Sequence, residues 1–279
     1  MPATRTLPTS FGHRITVFCG DHVGDKIAER GLYEPESLDV LLDLLGRIPE
    51  PVVLDVGANI GNHALAFATR AAEVHAFEPA PTLCAVLREN VRQNALVNVW
   101  VHEVALSDAR GTATLQVNLT GNLGASSLEP CSGEGQPVEV RTLTGDAFVT
   151  QRGLGHVDLI KIDVEGHEDS VLRGLRQTLA RDRPWLAMEW KNRRTIERLR
   201  GSPEADFLMQ HYEPWVLGST HDRLYWESRA LGFLRRKCRR LLTPRRALLY
   251  PFESTRLCKN LLWVPNGREA LLDPRYFTP

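Results

Sequence analysis

Leu38, Leu41, Leu42 and Leu45 recur at the three-and-four spacing of one helix face, with Ser37 placed to cap the start and Gly46 to stop the end. The pattern predicts an amphipathic helix over 37–46. Pro49 and Pro51 break it, and the apolar run PVVLDVG that follows ends in glycine, as a buried parallel strand entering a tight turn does. This places a strand at 52–56. An alanine-rich helix over 62–71 and a second strand over 73–77, stopped by Glu78 and Pro79, complete one strand-helix-strand unit. The alternation continues with a helix at 82–94 and strands at 97–101, 158–164 (DLIKIDV) and 185–190, the last two joined by a helix at 168–181. Alternation of this kind predicts a mostly parallel sheet with helices on both faces.

Two regions depart from the repeat. Residues 111–149 alternate apolar and polar positions around NLTGNLGASS, which predicts two short strands flanking a flexible loop. After Tyr212, the runs EPWVL, RLYW and NLLWVP can close the sheet with antiparallel strands.

The whole-chain numbers exclude more than they select. Of 279 residues, 43% are hydrophobic and 24% charged, an ordinary globular balance, and no run approaches the roughly 18 apolar residues of a membrane span. Lys and Arg number 34, equal to Asp and Glu, so net charge is no argument for a nucleic-acid partner. Residues 1–20 lack a basic start with an apolar core, and the five scattered cysteines have neither zinc nor dithiol spacing. A cytoplasmic protein is expected.

Asp55-Val56-Gly57-Ala58-Asn59-Ile60-Gly61 lies where the first strand turns into a helix, at the strand end where ligands of parallel sheets bind. Glu78 ends the next strand, about 20 residues on, where a carboxylate accepts from ribose hydroxyls. The segment is not the G-x-G-x-x-G of a pyrophosphate site, because Asn59 replaces the middle glycine and Asp55 brings negative charge. Such charge suits an ammonium or sulfonium and repels a pyrophosphate, which favours S-adenosylmethionine (SAM) over a nicotinamide cofactor.

VVLDVGANIGNHALAFA, HAFEP, VALSD and LIKIDVEGHE together resemble the FkbM-type SAM-dependent methyltransferases, in order and spacing, from about Val52 to Trp190. The resemblance implies a Rossmann-like class I methyltransferase fold with a mostly parallel seven-stranded sheet. It implies O-methylation of sugar or polyketide hydroxyls, hence a glycan or small-molecule acceptor. It also implies that Asp55, Gly57, Asn59 and Gly61 line the methionine end of SAM, Glu78 its ribose, and Ala105 with Val104 its adenine. The NLGASS loop resembles the family's polar loop, which makes Asn122 and Ser126 candidates for substrate contact. His63, where the family varies, reads as a solvated residue on a helix's first turn. The expected organisation is an N-terminal extension over 1–50 carrying the amphipathic helix, then a methyltransferase domain over 51–279 with a basic insertion at about 229–250.

Lys161, Asp163 and Glu165 alternate along a strand that is otherwise apolar, and buried charges are costly unless paired or used. Asp163 is expected nearest both the donor's ammonium and the acceptor, with Glu165 or His167 as the base. Asp163, Glu165 and Glu189 could alternatively form an oxygen-rich Mg²⁺ site. No metal is the expectation, because Lys161 already supplies positive charge. Finally, RRKCRRLLTPRR at 235–246, opening on Arg235, holds seven basic residues and no acid, and either forms a solvated face or binds an anionic partner. Its flanks lack a regular series of aromatics for stacking bases, so RNA is not the expected partner.

Overall fold

The computed structural model describes residues 3–118, 126–128, 135–222, 245–253 and 258–277. The chain opens with an antiparallel hairpin, β1 (Thr4–Pro8) and β2 (Arg14–Phe18), followed by α1 (His22–Arg30) and α2 (Pro35–Leu45). Asp21 caps α1 by accepting from the Val23 and Gly24 amides. α2 begins two residues before the expected start, because Pro35 fits a first turn whose amides have no helical partner. Ser37 therefore lies buried inside the helix instead of capping it. Gly46 ends α2 as expected.

The α/β repeat is β3 (Val52–Val56), α3 (Asn62–Phe67), β4 (Glu73–Phe77), α4 (Pro81–Gln93) and β5 (Val99–His102). Next, β6 (Ala105–Leu106), β7 (Gly111–Val117) and β8 (Gln136–Leu143) form a separate three-stranded sheet, which contains the two strands expected around the loop. The main sheet resumes through α5 (Gly145–Arg152), β9 (Leu159–Ile162), α6 (Glu168–Gly174), α7 (Arg176–Asp182) and β10 (Trp185–Glu189). It closes through α8 (Arg193–Leu199), α9 (Pro203–His211), β11 (Tyr212–Ser219), β12 (Ala247–Pro251) and β13 (Asn260–Pro265).

The main sheet runs β5-β4-β3-β9-β10-β13-β11-β12. Its first five strands are parallel, and β13 inserts antiparallel between β10 and β11. This is the Rossmann-like class I arrangement, with the direction of winding reversing between β3 and β9. Eight strands are present where seven were expected. The extra one is the edge strand β12, built from ALLYP just after the basic run. RLYW at 223–226 lies outside the described residues.

Period-two alternation sorts the strands onto two cores. Val53, Leu159, Ala187 and Leu262 pack with α2 and α3 on one face, while Leu54, Ile160, Leu186 and Leu261 pack with α5 to α9 on the other. The N-terminal hairpin is tied to this body through Asn90 on α4. Asn90 accepts from the Thr16 amide at 2.6 Å and donates to the Ile60 carbonyl at 2.8 Å. Among the described residues, no helix is long and apolar enough to cross a membrane.

Candidate active site

At the carboxyl end of β3 the chain makes a turn that few sequences permit. Gly57 has φ 80° and Asn59 φ 54°, both in the left-handed region. The Gly57 and Ala58 amides donate to the Phe77 carbonyl at 3.0 and 2.9 Å, locking the turn to the end of β4. Asn59 tolerates its conformation because its side-chain oxygen accepts from the Ile60 amide at 2.7 Å.

Around this turn lies a cavity of about 300 Å³. One end is apolar, walled by Phe77, Leu83, Val104, Ala105, Leu106 and Leu115. Glu78 stands between this end and the turn. Its two oxygens accept from the Asn59 and Ala80 amides, each at 2.9 Å, leaving each oxygen a further lone pair. Burial outweighs these donors and pushes the Glu78 carboxyl up to about 7.

The other end is charged. β9 stops at Ile162, so Asp163 and Glu165 lie beyond the strand, and Glu165 (φ 52°) leaves the alternation that predicted a shared orientation with Lys161. The three carboxylates Asp163, Glu165 and Glu189 nevertheless converge, with ligand oxygens within 4.8 Å of one another. Two ammonium groups meet them. Lys161 Nζ lies 3.5 Å from both Asp163 and Asp55 and donates to the Gly57 carbonyl at 3.3 Å. Lys191 Nζ lies 2.5 Å from Glu189 and 3.3 Å from Glu165. Burial works against the charge on Lys161, yet the carboxylates of Asp163 and Asp55 outweigh it and hold its pKa above the usual range. Glu189 is raised well above the carboxylate range, by burial first and then by Asp163 and Glu165.

The remaining expected site residues divide between the cavity wall and its surroundings. Asp55 is fully buried, is not among the residues lining the cavity, and faces Lys161. Gly61 is also not part of the wall. It starts α3 at φ 95°, and a Cβ there would meet Leu87 Cδ1 at 2.5 Å, so its need is for helix packing. His167 lines the cavity, and its Nε2 lies 3.0 Å from Ser107 Oγ. Ser126 also lines it and accepts from the Asn118 amide at 3.3 Å, whereas Asn122 lies outside the described residues. Of the basic run, only Arg245 and Arg246 are among the described residues, and Arg245 pairs with Glu36.

His63 is a correction in the other direction. It is buried, lines the cavity and sits 3.5 Å from Glu34. Tyr33, Lys191 and Lys259 line the cavity too and were not anticipated. Strand direction accounts for two of them: Lys191 follows the carboxyl end of β10, and Lys259 precedes β13, whose antiparallel direction brings its start to the same edge.

The sequence matches the Methyltransferase FkbM domain over residues 55–228. It is 35% identical over 142 residues to the hexuronic acid methyltransferase AglP of Haloferax volcanii, covering 50% of this chain and 57% of that protein. It is 32% identical over 151 residues to the 2-O-methyltransferase NoeI of Sinorhizobium fredii, covering 48% and 61%. Similarity at 32% over 158 residues extends to the 31-O-demethyl-FK506 methyltransferase FkbM of Streptomyces tacrolimicus, covering 46% and 60%. The chain thus spans about six-tenths of the length of these curated relatives. Among solved structures, the methyltransferase FkbM of Methylobacillus flagellatus aligns with TM-score 0.45 and 16% identity over 77% of this chain and 43% of that one. With the family's domain matched across more than half its length, the chain belongs to the FkbM methyltransferases.

Proposed function

We propose that this chain is a SAM-dependent O-methyltransferase whose acceptor is a hydroxyl of a glycan or of a small secondary metabolite. The observation that carries the reading is the graded cavity, apolar at one end, charged at the other, with Glu78 between them. Those three environments match adenine, ribose and the charged methionine end of one donor. The unused lone pairs of Glu78 accept the two ribose hydroxyls, Ala105 and its neighbours hold the base, and Gly57 and Asn59 let the backbone approach the methionine portion. Bound there, SAM supplies an electrophilic methyl group. The activities for which the relatives are named, on a hexuronic acid, a 2-O position and a 31-O position, favour oxygen as the acceptor atom.

In this reading Asp163 holds the donor's ammonium with its carboxylate, and Lys161 fixes Asp163 in place. Glu165, tethered by Lys191, binds the acceptor hydroxyl, and Ser126 lies on the acceptor's approach. His167, in contact with Ser107, lies on the same cavity wall. The stretch 51–279 carries the donor site, and the extension over 1–50 adds His22 and Tyr33 to the cavity wall. A cytoplasmic setting suits a donor made and used inside cells, and an anionic partner for the basic run remains part of the proposal.

The test is calorimetry with S-adenosylhomocysteine (SAH) and with NADH, followed by transfer from labelled SAM to fractionated glycans and metabolites. SAH binding with label fixed as an alkali-stable ether supports the reading. Binding of NADH and not SAH, or label recovered on nitrogen, overturns it.

A further inference from the structure

Glu34 lies between α1 and α2 at φ 55°, a conformation that costs energy for any residue with a Cβ. Its carboxylate is buried under three partners. Lys259 Nζ is 2.5 Å from Oε1, Asn260 Nδ2 donates to Oε2 at 3.1 Å, and His63 Nε2 lies 3.5 Å from Oε2. Burial opposes ionisation of Glu34, but the contact with His63 and the charge of Lys259 outweigh it and hold the carboxyl well below the usual range. Lys259 is held in turn, 3.0 Å from the Tyr33 hydroxyl and over the Tyr33 ring at 4.5 Å.

This leaves His63 oriented from behind. With Nε2 turned to the carboxylate, the hydrogen of a neutral imidazole belongs on Nε2, and the lone pair on Nδ1. His63 lines the cavity, and Nδ1 has no partner among the described residues. A side chain that offers a lone pair to a ligand cavity, steered by a fixed anion, is the geometry of a general base. The 3.5 Å contact is long, as such contacts often are before substrate binds.

We propose that His63, oriented by Glu34, is the general base that accepts the proton of the acceptor hydroxyl, which rests on the reading of this cavity as a methyl-transfer site. The acceptor's O–H bond breaks and its proton goes to Nδ1. The oxygen's electron pair forms the new O–CH₃ bond, and the pair of the breaking C–S bond stays on sulfur. The imidazolium so formed faces Glu34, which is already ionised and needs no further proton. The groups facing His63 are Glu34, with Lys259 and Asn260 on the far side of that carboxylate, and the Phe67 ring one helical turn along α3. The substrate class this device serves is an alcohol, which must lose a proton as it attacks, in preference to an amine, which attacks as the free base.

Two readouts test it. In SAH-bound protein with ¹⁵N-labelled histidine, His63 should show the Nε2–H tautomer with a bare Nδ1, and Glu34→Gln should weaken that tautomer preference. A dominant Nδ1–H tautomer, or a tautomer balance indifferent to Glu34→Gln, overturns the proposal, and this arm decides whether or not any acceptor probe is turned over. The second readout uses labelled SAM with methyl glucoside and methyl glucuronide as acceptor probes. His63→Ala, with His63→Gln as a size-conserving control for folding, should bind SAH within about twofold of wild type and lose about 100-fold or more in turnover. Added imidazole should restore part of the His63→Ala loss. Turnover retained in both variants, or SAH affinity lost in step with turnover, overturns the role. Failure of the wild-type protein to bind SAH is a separate result, which removes the donor reading itself.

Discussion

A Cβ placed on Gly57 would stand 1.9 Å from the carbonyl oxygen of Asp163, so the turn after β3 and the chain leaving β9 touch backbone to backbone. No side-chain rearrangement relieves such an overlap, because the obstructing atom is main chain. Gly57→Ala also imposes a left-handed φ on a residue with a Cβ. Strain and overlap together should cost about 2 kcal/mol or more. The expected outcome is a lower melting temperature and loss of the thermal shift given by SAH. A Gly57→Ala protein that melts like wild type and still responds to SAH would show that this contact sets neither.

Glu78 makes donor affinity depend on pH. Its carboxyl is raised from 4.5 to about 7 in the free protein, while two ribose hydroxyls donate more strongly to the ionised form. Binding should therefore release a proton, and SAH affinity should fall as pH drops below 7. For the fold alone the sign is opposite: the raised value favours the protonated state, a contribution fully present below 4.5 and lost as pH rises through about 7. Glu78→Gln should weaken SAH binding at least tenfold at pH 8 and flatten its pH dependence. Calorimetry in buffers of different ionisation enthalpy reads the proton directly, and zero release at pH 6 contradicts the assignment.

A second pH effect lies away from the cavity. His75 Nδ1 and His102 Nε2 are 3.2 Å apart beneath Phe148, and burial lowers His75 to about 4 and His102 to about 3. Both values lie below the unfolded 6.5, so their contribution to stability is present above 6.5 and lost as pH falls towards 4. Melting temperature should drop between pH 7 and 5. His75→Phe, which keeps a ring against Trp100 and Phe148 but cannot charge, should shrink that drop. An unchanged acid profile would place the sensitivity elsewhere.

How much of this was legible follows from where the signals are local. Val52–Val56 and Glu73–Phe77 were read to the residue, since an apolar run between breakers leaves little choice. The helix expected over 168–181 is two, α6 and α7, meeting at Leu175. Gly174 there is pressed against the Ser107 carbonyl, a tertiary contact that no periodicity records. Asp163 and Glu165 stood out as charge next to an apolar strand, and both line the cavity although β9 ends before them. The neighbours Tyr33 and Glu34, His63 and Lys259 come from three segments far apart in the chain, and only the tertiary contacts of Glu34 with the start of α3 and with the residue before β13 join them.

The charged end of the cavity allows a metal and a metal-free site to be told apart. Asp163, Glu165 and Glu189 are close enough to share a divalent ion, and a hard cation would find three oxygens there. Each carboxylate already faces an ammonium: Lys161 at 3.5 Å from Asp163, and Lys191 at 3.3 Å from Glu165 and 2.5 Å from Glu189. Bringing in Mg²⁺ would set it against both ammonium groups at short range, which is a strong repulsion in a partly buried site. EDTA should therefore change turnover by less than about twofold, whereas a metal serving as Lewis acid contributes several kcal/mol that chelation would remove. Asp163→Asn keeps the shape and removes the charge that holds the donor's ammonium, so SAH affinity should fall about tenfold or more, and turnover at low SAM should fall with it. Lys191→Met should be the variant that gains Mn²⁺ affinity, because it takes away the ammonium between two of the carboxylates. Tight Mg²⁺ binding by the wild-type protein, or activity restored to an EDTA-treated sample by Mg²⁺ alone, would show that the lysines do not fill this role.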